Sequence, residues 1–298
     1  MEIVIRTPED FSFKRTVLSH GWCQLLPFEF DQSRWELMRV VEIGKGQPLT
    51  IAIRGTKRSV KVSASSARPP GQCALLKIER DVRHMLRLDD EMDGFYKAVL
   101  DEPDFAWIAR EGAGRLLRSP TVFEDLVKSL CTTNCSWALT KIMLTGLVSG
   151  LGRKAADGRR SFPGPEAMAH APESFYREVV RAGYRAPYLK EMAERVASGE
   201  LDVESWLVSE LPIGELKREI KRVKGIGDYA AENLLKLLGR YDCLALDSWV
   251  RAKLARTHGG GGGARRVIDD EMIERYYSRF QRWRGLALWC DMTRDWLD

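Results

Sequence analysis

Lys224-Gly225-Ile226-Gly227-Asp228-Tyr229-Ala230-Ala231 joins two amphipathic stretches, and Leu244-Ala245-Leu246-Asp247-Ser248-Trp249-Val250-Arg251 follows a short way downstream. Before the first segment, Ile213, Leu216, Ile220 and Val223 recur at helical spacing; after it, Ala231, Leu234, Leu235 and Leu238 do the same. Two glycines around one apolar residue permit a tight hairpin whose backbone can approach a ligand closely. Asp228 is placed to cap the second helix, whose first N–H groups then face outward. Such groups bind phosphate, and Lys221, Arg222 and Lys224 add positive charge beside them. The segment reads equally well as a helical packing corner with a basic, solvated face. Asp247, between an apolar run and a new helix, is by default only an N-cap. If the hairpin holds DNA, however, that helix returns Asp247 to the same cleft. A carboxylate at a helix N-terminus is favoured in its ionised form, which is what an oxocarbenium-like sugar cation needs beside it. One side chain can cap and catalyse.

Outward from this core the chain changes character. Toward the N-terminus, Leu37–Ile43, Leu49–Ile53 and Ser59–Ser63 are β-rich runs separated by turn formers such as Gly44-Lys45-Gly46 and Arg54-Gly55-Thr56. Short strands with tight returns make an antiparallel sheet. Ala67-Arg68-Pro69-Pro70-Gly71 reads as an edge loop, and from about residue 86 the pattern is almost wholly helical, as in Tyr188, Leu189, Met192, Ala193 and Val196. The five glycines Gly259 to Gly263 read as a loop within the last helical lobe.

Composition bounds the function classes. Of 298 residues, 44% are apolar and 30% charged, which is a globular composition, and no apolar run is long enough to span a bilayer. Met1–Arg6 lacks the basic-then-apolar pattern of a secretory leader, and the six cysteines form no disulfide-like framework, so a cytoplasmic protein with reduced thiols is expected. An excess of 47 basic over 42 acidic residues permits a polyanionic partner without requiring one.

The hairpin followed by Asp247 resembles the signature of the HhH-GPD DNA glycosylase superfamily, in which a helix-hairpin-helix precedes a catalytic aspartate. Three other stretches are similar to its 8-oxoguanine and alkylpurine (3-methyladenine) branches. Ser129-Leu130-Cys131-Thr132-Thr133-Asn134-Cys135-Ser136 resembles the helix-opening segment with a gap-filling asparagine, and Gly183-Tyr184-Arg185-Ala186-Pro187-Tyr188 a Gly-Tyr-Arg wedge. Phe11-Ser12-Phe13 through Ser19-His20-Gly21-Trp22 resembles an N-terminal strand that walls the base pocket. The resemblance implies an α+β fold: an N-terminal antiparallel β domain over 1–85, a connecting helical segment over 86–117, and a two-lobed all-α region of 118–212 and 213–298. The lobes would flank a cleft with the hairpin at its mouth.

The resemblance also implies a chemistry. Family members flip a damaged nucleotide out of double-stranded DNA and hydrolyse its N-glycosidic bond, because the bond cannot be reached inside the stack. By similarity Asp247 is the catalytic carboxylate, and Gly225, Gly227, Lys224 and Asp228 form the phosphate-binding hairpin. Asn134 fills the vacated space, Tyr184 wedges the opposite strand, and Arg185 contacts the orphan base or a phosphate. Without the resemblance, Asn134 reads as a turn residue and Tyr184 as a core aromatic. Gly21, Trp22, Tyr229 and Trp289 are expected in the base pocket. The protein is expected to act as a monomer, with no membrane association.

Two departures matter. Bifunctional members carry a lysine two residues after the second hairpin glycine, where this chain has Tyr229. A phenol cannot form the imine, so a monofunctional enzyme without β-lyase activity is expected, with water as nucleophile. The four C-terminal cysteines of the iron–sulfur branches are also missing, since only Cys290 lies in that region. Cys131 and Cys135 are a lone pair, and His20, His84, His170 and His258 are scattered. No metal or other cofactor is therefore expected in the chemistry, the family's alkali ion on the hairpin carbonyls remaining open. For the lesion, Gly21 and Trp289 match positions of the 8-oxoguanine branch, whereas the aromatic Trp22 and Tyr229 suit cationic alkylated purines. The balance leans to alkylated purines. The competing reading is a non-catalytic helix-hairpin-helix DNA-binding protein, which has no need of a carboxylate near phosphates.

Overall fold

The computed structural model describes residues 1–44, 46–64, 70–257 and 269–297. The Gly259–Gly263 run, His258, Lys45 and most of the expected edge loop (Ala67 to Pro69) lie outside them.

Five antiparallel strands form one sheet in the order β1-β5-β4-β3-β2. They are β1 (Glu2–Arg6), β2 (Phe28–Asp31), β3 (Glu36–Ile43), β4 (Gln47–Gly55) and β5 (Ser59–Ala64). The three strands read from the sequence are its centre; β1 and β2, at the two edges, were not. Register sets Leu37 opposite Ile53 and Ile53 opposite Val62, so one buried apolar row crosses β3, β4 and β5.

The stretch expected as a pocket-wall strand is not one. It folds as α1 (Phe13–Val17) followed by a 3-10 turn over Gly21–Gln24. Ser12 caps α1 by accepting the Arg15 amide at 3.4 Å. Phe13, Thr16 and Val17 are its buried residues, a spacing of three and four that fits a helix rather than the alternation of a strand.

Helices then dominate. After α2 (Gln72–Met85) come α3 (Asp93–Leu100) and α4 (Ala106–Arg110), whose Phe95 and Phe105 pack on Trp283 and Phe280 near the C-terminus at 5.6 and 4.7 Å between ring centres. The middle of the chain holds α5 (Val122–Thr132), α6 (Trp137–Leu151), α7 (Pro165–His170), α8 (Glu173–Glu178) and α9 (Ala186–Ala197). The last part holds α10 (Ile213–Lys221), α11 (Asp228–Leu237), α12 (Ser248–Thr257), α13 (Asp270–Ser278) and α14 (Arg284–Thr293). A single hydrophobic core runs from the sheet through these helices.

Helix α5 is central: Val122 through Cys131 are all buried. Its Glu124 bonds Arg39 of β3 at 3.0 Å and Lys128 at 2.7 Å, and all three charges are buried. Burial pushes the Glu124 carboxyl up, but the two cations outweigh it and leave it below its ordinary value.

The hairpin between α10 and α11 forms where the sequence places it. Gly225 has φ +87, and a Cβ there would lie 2.7 Å from Leu130 of α5 and 2.7 Å from Tyr188 of α9. Gly225→Ala is therefore expected to destabilise the fold by about 2 kcal/mol or more, from left-handed strain plus overpacking. Urea unfolding of the variant beside the parent checks this.

Candidate active site

A cleft of about 990 Å³ opens between the helical elements. The turn after α1 supplies His20, Gly21 and Trp22; the α5–α6 junction supplies Asn134, Cys135 and Trp137. From α11 come Tyr229, Asn233 and Lys236, and from the start of α12 Asp247 and Trp249. Trp289 and Trp296 complete it. The cleft thus gathers six of the expected residues: Gly21, Trp22, Asn134, Tyr229, Asp247 and Trp289.

Asp247 caps α12, accepting the Val250 amide on Oδ1 at 2.7 Å. The Tyr229 phenol lies close enough to the same carboxylate to feel its charge. Burial, and then the neighbouring carboxylate, push the Tyr229 phenol well above its ordinary value, so it stays neutral. Asn233, one turn further along α11, donates to the Tyr229 carbonyl at 2.9 Å.

Indoles form one end of the cleft. Trp249, Trp289 and Trp296 form a mutual cluster with ring centres 6.2 to 6.4 Å apart. Trp289 is fixed by its N–H to the Ser19 carbonyl at 2.8 Å. Lys236 Nζ lies 5.4 Å from the Trp289 ring centre and donates to the Leu244 carbonyl at 2.9 Å. Burial pulls this ammonium down to about 8. Asn233 and Lys236 were missed in the sequence, although they follow Tyr229 at four and seven residues, the repeat of one helix face. Trp296 left no local signal.

The opposite wall is braced from within. Trp22 donates to Asp125 of α5 at 2.7 Å, and Asp125 also accepts the Ser119 amide at 3.0 Å. A Cβ on Gly21 would meet the Trp137 ring at 2.4 Å, so the bare backbone lets Trp137 close against this turn.

Three expected residues are placed differently from the sequence reading. Asp228 does not cap α11: Gly227 is the N-cap, and Asp228 pairs instead with Lys217 at 2.9 Å and Lys221 at 3.0 Å. Its position at the first helical residue puts its carboxylate beyond the geometry that reaches back to the free amides. Arg185 is buried, its guanidinium donating to the Thr133 carbonyl and to Thr133 Oγ1, so it braces the turn that carries Asn134. Asn134 does not open a helix; it lies after α5 with φ +43, and Ser136 caps α6.

The other positions lie outside the cleft. Tyr184 is half exposed at 51% and meets Tyr188 edge-on. Lys224 pairs with Glu191 of α9 at 2.8 Å, and Arg222 pairs with Glu219 at 2.7 Å. Exposed pairs of this kind are weak, so these cations can exchange a carboxylate for a phosphate at little cost.

Among the described residues, no group of three His, Cys, Asp or Glu comes together that could hold a metal ion, and no helix is long and apolar enough to cross a membrane.

A sheet, a helical body and a helix-hairpin-helix beside an aspartate-bearing cleft define the fold of the DNA glycosylases. No protein-family model and no curated protein matches the chain. Solved structures do. The 3-methyladenine DNA-glycosylase from Archaeoglobus fulgidus aligns with a TM-score of 0.75 and 18% identity over 99% of each chain. The Clostridium acetobutylicum 8-oxoguanine glycosylase/lyase, in its apo-form, aligns with a TM-score of 0.73 and 18% identity over 98% of this chain and 95% of its own. The same enzyme, in complex with dsDNA containing cytosine opposite 8-oxoG, gives a TM-score of 0.72 and 17% identity over 100% and 96%. The α+β helix-hairpin-helix fold expected from the sequence is the fold observed.

His20 offers a pH test of the cleft. Its Nε2 faces the Leu117 carbonyl, which only accepts, so Nε2 carries the proton. Burial lowers its pKa from 6.5 to about 4. Between those values the unfolded chain binds a proton that the folded one does not, so stability falls as pH drops from about 6.5 to about 4. His84, also lowered, adds a second such contribution. His20→Gln, which keeps a donor but does not titrate, is expected to remove about 2 kcal/mol of that acid destabilisation between pH 7 and pH 5. Denaturant midpoints at pH 7 and pH 5 for both proteins measure the difference.

Proposed function

We propose that this protein is a monofunctional DNA glycosylase of base excision repair that works as a monomer. It flips a damaged purine from double-stranded DNA into the cleft and hydrolyses its N-glycosidic bond. The observation that carries the reading is that Asp247 and Tyr229 line one cleft together with the indole cluster of Trp249, Trp289 and Trp296.

In this reading the base lies toward Trp249, Trp289 and Trp296, and the deoxyribose toward Asp247. As the bond to the base lengthens, positive charge develops on the sugar, and the fixed carboxylate opposes it without reorganising. Water completes the reaction at C1′. Tyr229 lines the cleft with Asp247 and offers no amine, which supports the absence of a lyase step. Lys236 lies seven residues along α11, about 10 Å deeper by helical rise, at the base end rather than the sugar end. Asn134 and Tyr184 stand on separate loops as the residues that replace the flipped nucleotide and wedge the strand. The hairpin grips the phosphates through the first amides of α11, with Lys224 beside it.

The indole cluster supports an alkylated purine as substrate, because a cationic base is attracted to ring faces and is already a good leaving group. A second reading has its own observation. The buried ammonium of Lys236 would repel a cationic base and suits a neutral purine with a carbonyl, as in an 8-oxoguanine-type glycosylase without lyase activity.

Base release from duplexes bearing one methylated adenine, hypoxanthine, 8-oxoguanine or uracil decides between them. Strand breakage only after hot alkali, on one lesion, is the expected result; no release with binding retained favours a pure DNA-binding protein. Asp247→Asn is expected to slow release by roughly a hundredfold or more while lesion DNA still binds. Borohydride is expected to trap no covalent complex with the parent protein, and a trapped species would assign an amine such as Lys236 to the sugar. Affinity for undamaged duplex is expected to fall steeply with added salt, and a flat response would remove the phosphate grip.

A further inference from the structure

Asp247 enters the cleft at the end of an irregular stretch, residues 242–247, which no strand or helix includes. Two side chains on adjacent turns of α11 hold that stretch from one side. Glu232 accepts the Ala245 amide on Oε2 at 2.8 Å, and Lys236 donates to the Leu244 carbonyl at 2.9 Å. Residues four apart share a helix face, so both bonds come from the face that carries the cleft wall. Glu232 is itself anchored, since its Oε1 takes Lys217 of α10 at 2.5 Å. Lys236 is 2% exposed, so its bond to the carbonyl faces little competition from water.

The held conformation is an unusual one. Ala245 has φ +55, the left-handed region that a residue with a Cβ adopts only against a steric cost. Ala245 is 2% exposed, so no solvent contact supports it there. Its amide bond to Glu232 is the interaction that compensates. Released, the backbone would relax toward negative φ two residues before Asp247, and the carboxylate would shift from its place at the start of α12.

We propose that Glu232 and Lys236 are positioning residues of the glycosylase reaction, which clamp Ala245 in its left-handed conformation and so set the place of the Asp247 carboxylate. The inference rests on Asp247 being the catalytic carboxylate. A misplacement of about 1 Å in such a group is enough to cost about a hundredfold in rate. A purely structural role would lower the melting temperature and leave the folded enzyme's rate alone.

The test is single-turnover base release at saturating enzyme, on the duplex that the parent protein processes, with affinity for that duplex and melting temperature measured alongside. Glu232→Ala is expected to slow release roughly tenfold or more, with affinity within about twofold of the parent. Glu232→Gln keeps an oxygen that can accept the Ala245 amide and is expected to recover most of the rate. Ala245→Gly placed in the Glu232→Ala background is expected to recover part of it, since glycine takes this backbone conformation without strain. Lys236→Met, which keeps the buried stem and drops the donor, is expected to slow release, and Ala245→Gly placed in that background is expected to recover part of the rate, which the loss of a base contact alone would not allow; this pair carries the test if Glu232→Ala does not fold. Parent-like release rates in folded Glu232→Ala and Lys236→Met would overturn the clamp. Asp247→Asn separates the two levels. Full activity in that variant overturns the catalytic assignment and the clamp together, whereas an inactive Asp247→Asn beside a fast Glu232→Ala overturns the clamp alone.

Discussion

Three charges buried together tie the two halves of this molecule. Arg39 on β3 reaches Glu124 on α5, and Lys128, one turn on, takes the other carboxylate oxygen. A lone charge at any of these places would be costly, whereas here one carboxylate bonds both cations and the neighbouring Asp125 acts on Lys128 as a further anion. The result is a fixed seat for α5 between sheet and helices. From that seat Asp125 orients Trp22, Ser129 and Thr132 face the cleft, and Leu130 receives the hairpin glycine Gly225. The sheet thus reaches the cleft at second hand, by immobilising the helix that braces Trp22 on one side and receives the hairpin on the other.

The cleft itself has two chemically different ends. At one, a carboxylate is held by a helix amide beside a neutral phenol; at the other, three indoles and an amine crowd together. All of this hangs on α11, whose residues Tyr229, Asn233 and Lys236 line the cleft in successive turns. A single helix therefore carries the residue near Asp247 and the residue near the indoles, and it also begins at the hairpin. The spacing of hairpin, phenol and amine is then fixed by helical rise rather than by loops.

What the sequence disclosed was what is local. The hairpin glycines, the caps and Asp247 act within a few residues, and the three central strands announce themselves by composition. The strands β1 and β2 did not, because β1 is stabilised by pairing with β5 far along the chain and β2 is only four residues long. The segment from Phe11 to Trp22 was misread as a strand because its resemblance outweighed the spacing of Phe13, Thr16 and Val17. Asp228 looked like a cap, but the hairpin places Gly227 at that position and leaves Asp228 to two lysines. Glu232 and Trp296 carried no signal of their own, since each matters through a partner that only folding supplies, and Lys236 carried only its helical spacing from Tyr229.

The bond between Arg185 and Thr133 joins two loops that are 52 residues apart in sequence. Tyr184 precedes the first of these residues and Asn134 follows the second, so the exposed ring and the left-handed amide are adjacent to opposite ends of one strut. Neither loop can shift without pulling on the other. The pair is held as a caliper with a fixed gauge: the spacing of ring and amide is set inside the protein, not by whatever comes to lie against them.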